Sequence, residues 1–163
     1  MIQAWRVCRA PFADLLGEGA RQYGGRWNSP GLPVVYLAQH PALAVLEVRV
    51  HLDLPPDLLP DDYVLMRVEL PAEPLEVVAN LPADPRAFGD EWLRSGRTAV
   101  LQVPSVIIPM ASNLLLNPRH PAAGAARAAP PQPFQFDARL WMDVNGIETP
   151  GAGVEHGGVR RNV

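Results

Sequence analysis

Arg26, Tyr36 and Glu47 are the side chains that ordinary packing explains least, and they fall within one short stretch of sequence. Glu47 lies in residues 41–52, which open on Pro41, a residue suited to the first turn of a helix. At ~100° per residue, Leu43, Leu46, Glu47 and Val50 share one stripe. Val45, Val48 and Leu52 occupy the opposite side, so the pattern predicts a helix buried nearly all round. A carboxylate in that setting meets a cation, donates a proton or faces a wet cleft. A structural Glu–Arg pair is the plain alternative. Arg26 stands between Gly24-Gly25 and Trp27, ahead of the turn signal Ser29-Pro30-Gly31. Its planar fork suits the paired oxygens of a phosphate or carboxylate; otherwise it is a surface arginine in a loop. Tyr36 belongs to a short strand, residues 34–38, either as core or as a flat face for a ring.

Further elements must position these groups. Residues 3–9 alternate as a first strand, with Trp5, Val7 and Arg9 on one face and Ala4, Arg6 and Cys8 on the other. Arg6 therefore points inward, as a core ion pair or an anion clamp. Residues 11–23 read as a short helix or an irregular, glycine-rich loop, and 55–62 as a proline-rich loop. Strands are predicted over 63–70 and 75–78. A helix follows over 85–100, capped by Asp84 with Pro85 in its first turn and ended by Gly96. The β-branched run 106–108, bounded by Pro104 and Pro109, predicts a strand with Ser105 at its start. No Gly-x-Ser-x-Gly context makes Ser105 a nucleophile, so a hydrogen-bonding role is expected. Another strand is predicted over 113–116, a surface segment over 122–133 and a last edge strand over 134–141. Beyond Asp143 the composition is that of a loose tail, which divides the chain into a domain at 1–141 and a tail at 142–163.

Length and composition set bounds. A chain of 163 residues is one domain by size, with room for a core. The 19 prolines chop it into short elements and favour a strand-rich α+β fold over a helical bundle. A net charge of −3 argues against direct nucleic-acid binding. All 14 basic residues are arginine, which excludes lysine Schiff-base chemistry. Cys8 is the only cysteine and reads as core; the four histidines lack metal-ligand spacing, so no metal is expected. Neither a signal peptide nor a membrane-length apolar run is evident, and a soluble cytoplasmic protein is expected.

One resemblance covers most of the chain. Trp5-Arg6-Val7, the run from Gly17 through Gly24-Gly25-Arg26-Trp27-Asn28 to Gly31, Val35-Tyr36-Leu37-Ala38, Ala44-Val45-Leu46-Glu47-Val48, Pro104-Ser105, Asn113 to Pro118 and Phe136 to Leu140 together resemble the RES domain. That family is named for an Arg, a Glu and a Ser, matched here by Arg26, Glu47 and Ser105. The resemblance implies a single compact ADP-ribosyltransferase-like domain, a toxin of a type II toxin–antitoxin pair and a helix-turn-helix antitoxin of the Xre type as partner. It also implies NAD as substrate, with Arg6, Arg26, Tyr36, Glu47 and Ser105 lining its pocket.

The implied chemistry fits these residue types. Cleaving the nicotinamide–ribose bond passes through an oxocarbenium-like state, which a nearby carboxylate such as Glu47 stabilises. Arg6 and Arg26 suit the pyrophosphate, Tyr36 a ring, and Ser105 either the nicotinamide amide or Glu47. Three alternatives stand: transfer of ADP-ribose to water or phosphate, transfer to a protein such as a host nucleotide-biosynthesis enzyme, and a non-enzymatic binding domain that kept the fold. The intact set of Arg26, Tyr36 and Glu47 speaks against the last.

Overall fold

Strand β1 (Ile2–Arg9) lies near the middle of one curled, mostly antiparallel sheet. On one side it pairs along its whole length with β3 (Tyr63–Leu70), from Ile2 opposite Leu70 to Arg9 opposite Tyr63. On the other side it meets β2 (Val35–Ala38) at a single rung, Trp5 opposite Ala38. Beyond β2 come β6 (Ser112–Leu116), β5 (Val100–Pro104) and β4 (Leu75–Val77), in that order. Two well-paired blocks of strands are thus hinged at one rung between β1 and β2. This computed structural model describes residues 1–141; the expected tail over 142–163 lies outside the described residues.

Helices fill in around this frame. α1 (Glu18–Tyr23) precedes β2, and α2 (Pro41–Arg49) follows it and packs on β1 and β2. α3 (Pro85–Ser95) makes the crossover between β4 and β5, the one parallel pair among the described strands. Its ends are those expected: Asp84 Oδ1 accepts from the Ala87 amide at 3.0 Å, and Gly96 ends it with φ 58°. One face of the sheet buries Ala4, Val35, Leu37, Met66, Val68, Leu114 and Leu116. The other face carries two smaller clusters, Val7 and Ala38 under α2, and Leu101, Val103 and Leu115 with Trp27 and Trp92 of the α3 layer. No helix among the described residues is long and apolar enough to cross a membrane.

The α+β, strand-rich reading holds, and four local expectations do not. Residues 106–108 are not a strand: the ladder ends at Pro104, and the Ser105 hydroxyl accepts the amides of Ile107 (3.2 Å) and Ile108 (3.1 Å), folding the chain into bends. A local side-chain cap outcompetes β propensity there because this segment turns the chain from β5 back into β6. Residues 134–141 are not an edge strand. Two-residue strands β7 (Arg127–Ala128) and β8 (Gln132–Pro133) pair with β3 instead, inside the segment expected to be plain surface. After them Phe136 packs edge-on against Tyr63, Phe134 and Trp141, and Ala138–Trp141 form a 3-10 turn. Finally, α2 is not buried all round: only Leu43 and Ala44 are fully buried. Its Glu47 side lines a cavity rather than core.

Candidate active site

The loop carrying Arg26 is built from glycines and one buried amide. Gly24 adopts φ +71°, a left-handed conformation that a side chain resists. At Gly25 an added Cβ would stand 2.6 Å from the Tyr36 hydroxyl, so only glycine fits. Asn28 is fully buried; its Nδ2 donates to the carbonyls of Ala20 (2.8 Å) and Leu32 (2.9 Å). The Tyr36 hydroxyl donates to Asn28 Oδ1 at 2.7 Å and accepts the Trp27 amide at 3.0 Å. From the other side, Asp90 of α3 accepts the Ser29 amide (2.7 Å) and hydroxyl (2.6 Å). Gly89 lets α3 approach so closely that a Cβ there would lie 1.9 Å from the Trp27 carbonyl oxygen. Arg26 is exposed on this pinned loop and forms no ion pair among the described residues.

Burial pushes the Tyr36 phenol up to about 12, so it stays neutral at physiological pH. Its hydroxyl serves the loop's hydrogen bonds, which leaves the ring as the part of Tyr36 facing a ligand.

Glu47 stands across from this loop on α2. Ser105 Oγ donates to Glu47 Oε1 at 2.8 Å, and Asn113 Nδ2 donates to the same oxygen at 2.6 Å. The Ser105 hydroxyl is fully committed. Its one proton goes to Glu47 and its oxygen takes the amides of Ile107 and Ile108. No arginine lies within ion-pair distance of Glu47 among the described residues, so the structural Glu–Arg pair is not what is found. Two neutral donors hold one carboxylate oxygen, while Oε2 has no hydrogen-bond partner among the described residues and is not a buried orphan. That oxygen is free to accept a hydrogen bond from a ligand.

These groups meet at a cavity of about 350 Å³, within the range of roughly 300–1,000 Å³ common for small-molecule sites. It opens where the β1–β2 ladder fails: Trp5, Arg6 and Val7 border one side, Tyr36, Leu37 and Ala38 the other. Arg26, Glu47, His51 and Asn113 add polar groups to the wall. Arg6 lies beside the opening, with one Nη donating to the Asp14 carbonyl and the rest of its donors free of protein hydrogen bonds among the described residues. Ser105 does not line the cavity; it is buried and reaches the site through Glu47. Four of the five residues singled out in the sequence therefore border one cavity, and the fifth orients the fourth. Asn113, Asn28 and His51 were not singled out. Asn113 was legible as a polar residue interrupting an apolar strand; Asn28 and His51 offered no signal separate from their neighbours.

The RES domain matches residues 3–137. This chain belongs to the RES-domain family. It is 43% identical over 141 residues to the "Prs ADP-ribosylating toxin" of Sphingobium sp. (strain YBL2), covering 78% of this chain and 86% of that protein. It is 40% identical over 147 residues to "Toxin Res" of Pseudomonas putida (strain KT2440), covering 84% of this chain and 98% of the relative. In structure, this RES domain superposes on a chain of the M. tuberculosis MbcT–MbcA toxin–antitoxin complex with TM-score 0.67 at 19% identity, covering 82% of this chain and 84% of that one. The expected strand-rich α+β fold stands on that likeness.

Proposed function

We propose that this RES protein is the toxin of a toxin–antitoxin pair and that it consumes NAD by breaking the nicotinamide–ribose bond. The observation that carries the reading is Glu47: a carboxylate without an ion-pair partner among the described residues, fixed through Oε1 by Ser105 and Asn113, with Oε2 left for the ligand. Its free oxygen accepts a ribose hydroxyl and stabilises the positive charge that develops on the ribose as the C1′–N bond breaks. The bonding electrons leave with the pyridinium ring, which departs as neutral nicotinamide, so the leaving group needs no proton. Arg26 and Arg6 supply planar forks for the pyrophosphate, and the Tyr36 ring offers a face for stacking. An acceptor oxygen of water or phosphate then attacks C1′ and gives up its proton to solvent.

The test is nicotinamide release from NAD by the purified protein alone, compared with Glu47→Gln. Loss of one such electrostatic group costs about 10²–10³-fold in turnover. Circular dichroism should show an unchanged fold, because the amide keeps the shape of the carboxylate. Turnover retained in Glu47→Gln would remove this residue from the mechanism.

A second reading has a specific observation behind it. The relative at 43% identity is named as an ADP-ribosylating toxin. In this reading ADP-ribose passes to a side chain of a host protein, such as a nucleotide-biosynthesis enzyme, and NAD is lost only slowly until that protein is added. The partner we propose is a helix-turn-helix antitoxin of the Xre type that covers the cavity and carries the DNA-binding role. The likeness to a chain of a toxin–antitoxin complex supports such a partner, and the acidic balance of the RES chain suits that division of labour. The cytoplasm, where NAD is plentiful, is the proposed site of action.

A further inference from the structure

Asn113 is the polar interruption of an apolar strand. On β6 it is followed by Leu114, Leu115 and Leu116, and it pairs with Ala38 on one side and Val103 on the other. Its Nδ2 donates to Glu47 Oε1 at 2.6 Å, but its Oδ1 is buried and has no hydrogen-bond partner, alone among the described buried side-chain polar atoms. An orphaned buried acceptor destabilises a fold, and a leucine at the same place would avoid the cost. The amide cannot turn over to relieve it, because Oδ1 would then face the carboxylate oxygen at the same short distance. Some gain must offset this loss, and among the described residues the one side-chain hydrogen bond of Asn113 is to Glu47.

We propose that Asn113 is a positioning residue: with Ser105 it fixes Glu47 Oε1 and thereby aims Oε2 at the substrate. A single donor on Oε1 leaves the carboxylate free to swing about that hydrogen bond. Two donors from different parts of the chain, the residue after β5 and a residue of β6, fix both its place and its plane. Preorganisation of this kind determines how well a charged group meets a developing charge. The inference rests on the reading of Glu47 as the carboxylate that stabilises NAD cleavage.

The test is Asn113→Leu, read by kcat, KM for NAD and melting temperature together. Removing a hydrogen bond to a charged group should lower kcat by about 10- to 100-fold. KM should stay within about twofold, since Asn113 borders the cavity with its Nδ2 taken by Glu47 and its Oδ1 buried, and the melting temperature should hold or rise because the orphaned acceptor is gone. Asn113→Asp is the second variant; it keeps the shape, replaces the donor with an acceptor, and should lose at least as much kcat. Wild-type kcat in Asn113→Leu would overturn the proposal, as would a raised KM at unchanged kcat, or activity and melting temperature falling together. Wild-type protein that leaves NAD intact both alone and with host lysate protein added would sink the reading of Glu47 and this inference with it. Wild-type turnover that Glu47→Gln abolishes, with Asn113→Leu fully active, would sink the inference alone.

Discussion

Tyr36→Phe separates scaffolding from chemistry at this site. The substitution keeps the ring beside the cavity and removes one oxygen. That oxygen donates to Asn28 Oδ1 at 2.7 Å and accepts the Trp27 amide at 3.0 Å. Asn28 is 0% exposed and Trp27 3%, so water does not readily replace the lost partner at either one. Each orphan costs about 1–3 kcal/mol, and with partial relaxation the pair should cost about 3 kcal/mol. For a chain of this size each kcal/mol moves the melting temperature by about 2–4 °C, so a fall of about 6–12 °C is expected. Thermal unfolding followed by circular dichroism measures it, beside NAD turnover well below both transitions. The Arg26 loop loses its anchor, so KM for NAD should rise, while kcat should change by less than about threefold because Glu47 and its two donors are untouched. An unchanged melting temperature with kcat reduced a hundredfold would refute the reasoning and put the phenol into the reaction itself.

Alkaline stability and helix packing give two further expectations. Burial raises the Tyr36 phenol from 10.0 to about 12, so the folded state favours the neutral form. The associated stability is fully present below pH 10 and is lost as pH rises through about 12; urea midpoints across that window should fall more steeply for wild type than for Tyr36→Phe. Gly89→Ala places a Cβ 1.9 Å from the Trp27 carbonyl oxygen, whereas at Gly124 nothing lies within 4 Å. Overpacking of that kind costs about 1–3 kcal/mol, and α3 must also back away from Ser29. Chemical denaturation should show Gly89→Ala strongly destabilised or unfolded and Gly124→Ala close to wild type.

The parts of this molecule legible in sequence are those set by periodicity and by local stop signals. Alternation gave away β1 and β3, and Asp84, Pro85 and Gly96 bracketed α3. The grouping of Arg26, Tyr36 and Glu47 was legible because each residue type conflicts with its surroundings. What sequence did not reveal was set by contacts distant in the chain. Val106 to Ile108 look like strand, yet they follow a serine whose hydroxyl accepts the amides of Ile107 and Ile108. Phe134 and Phe136 alternate like an edge strand but satisfy themselves on Tyr63 and Trp141. The apolar sides of α2 implied burial because hydrophobic pattern does not distinguish a cavity wall from a core. Asn113 and Glu47 are 66 positions apart, and no local pattern pairs them.

The committed hydroxyl of Ser105 has a pharmacological consequence. A serine beside a carboxylate invites comparison with hydrolase nucleophiles, and electrophilic probes of the fluorophosphonate kind exploit such pairs. Here the oxygen takes two main-chain amides and its proton is held by Glu47, and attack on an electrophile would require giving up those contacts from a buried position. Compounds that block this protein would more profitably imitate the sugar cation facing the glutamate than seek a covalent bond to the serine behind it.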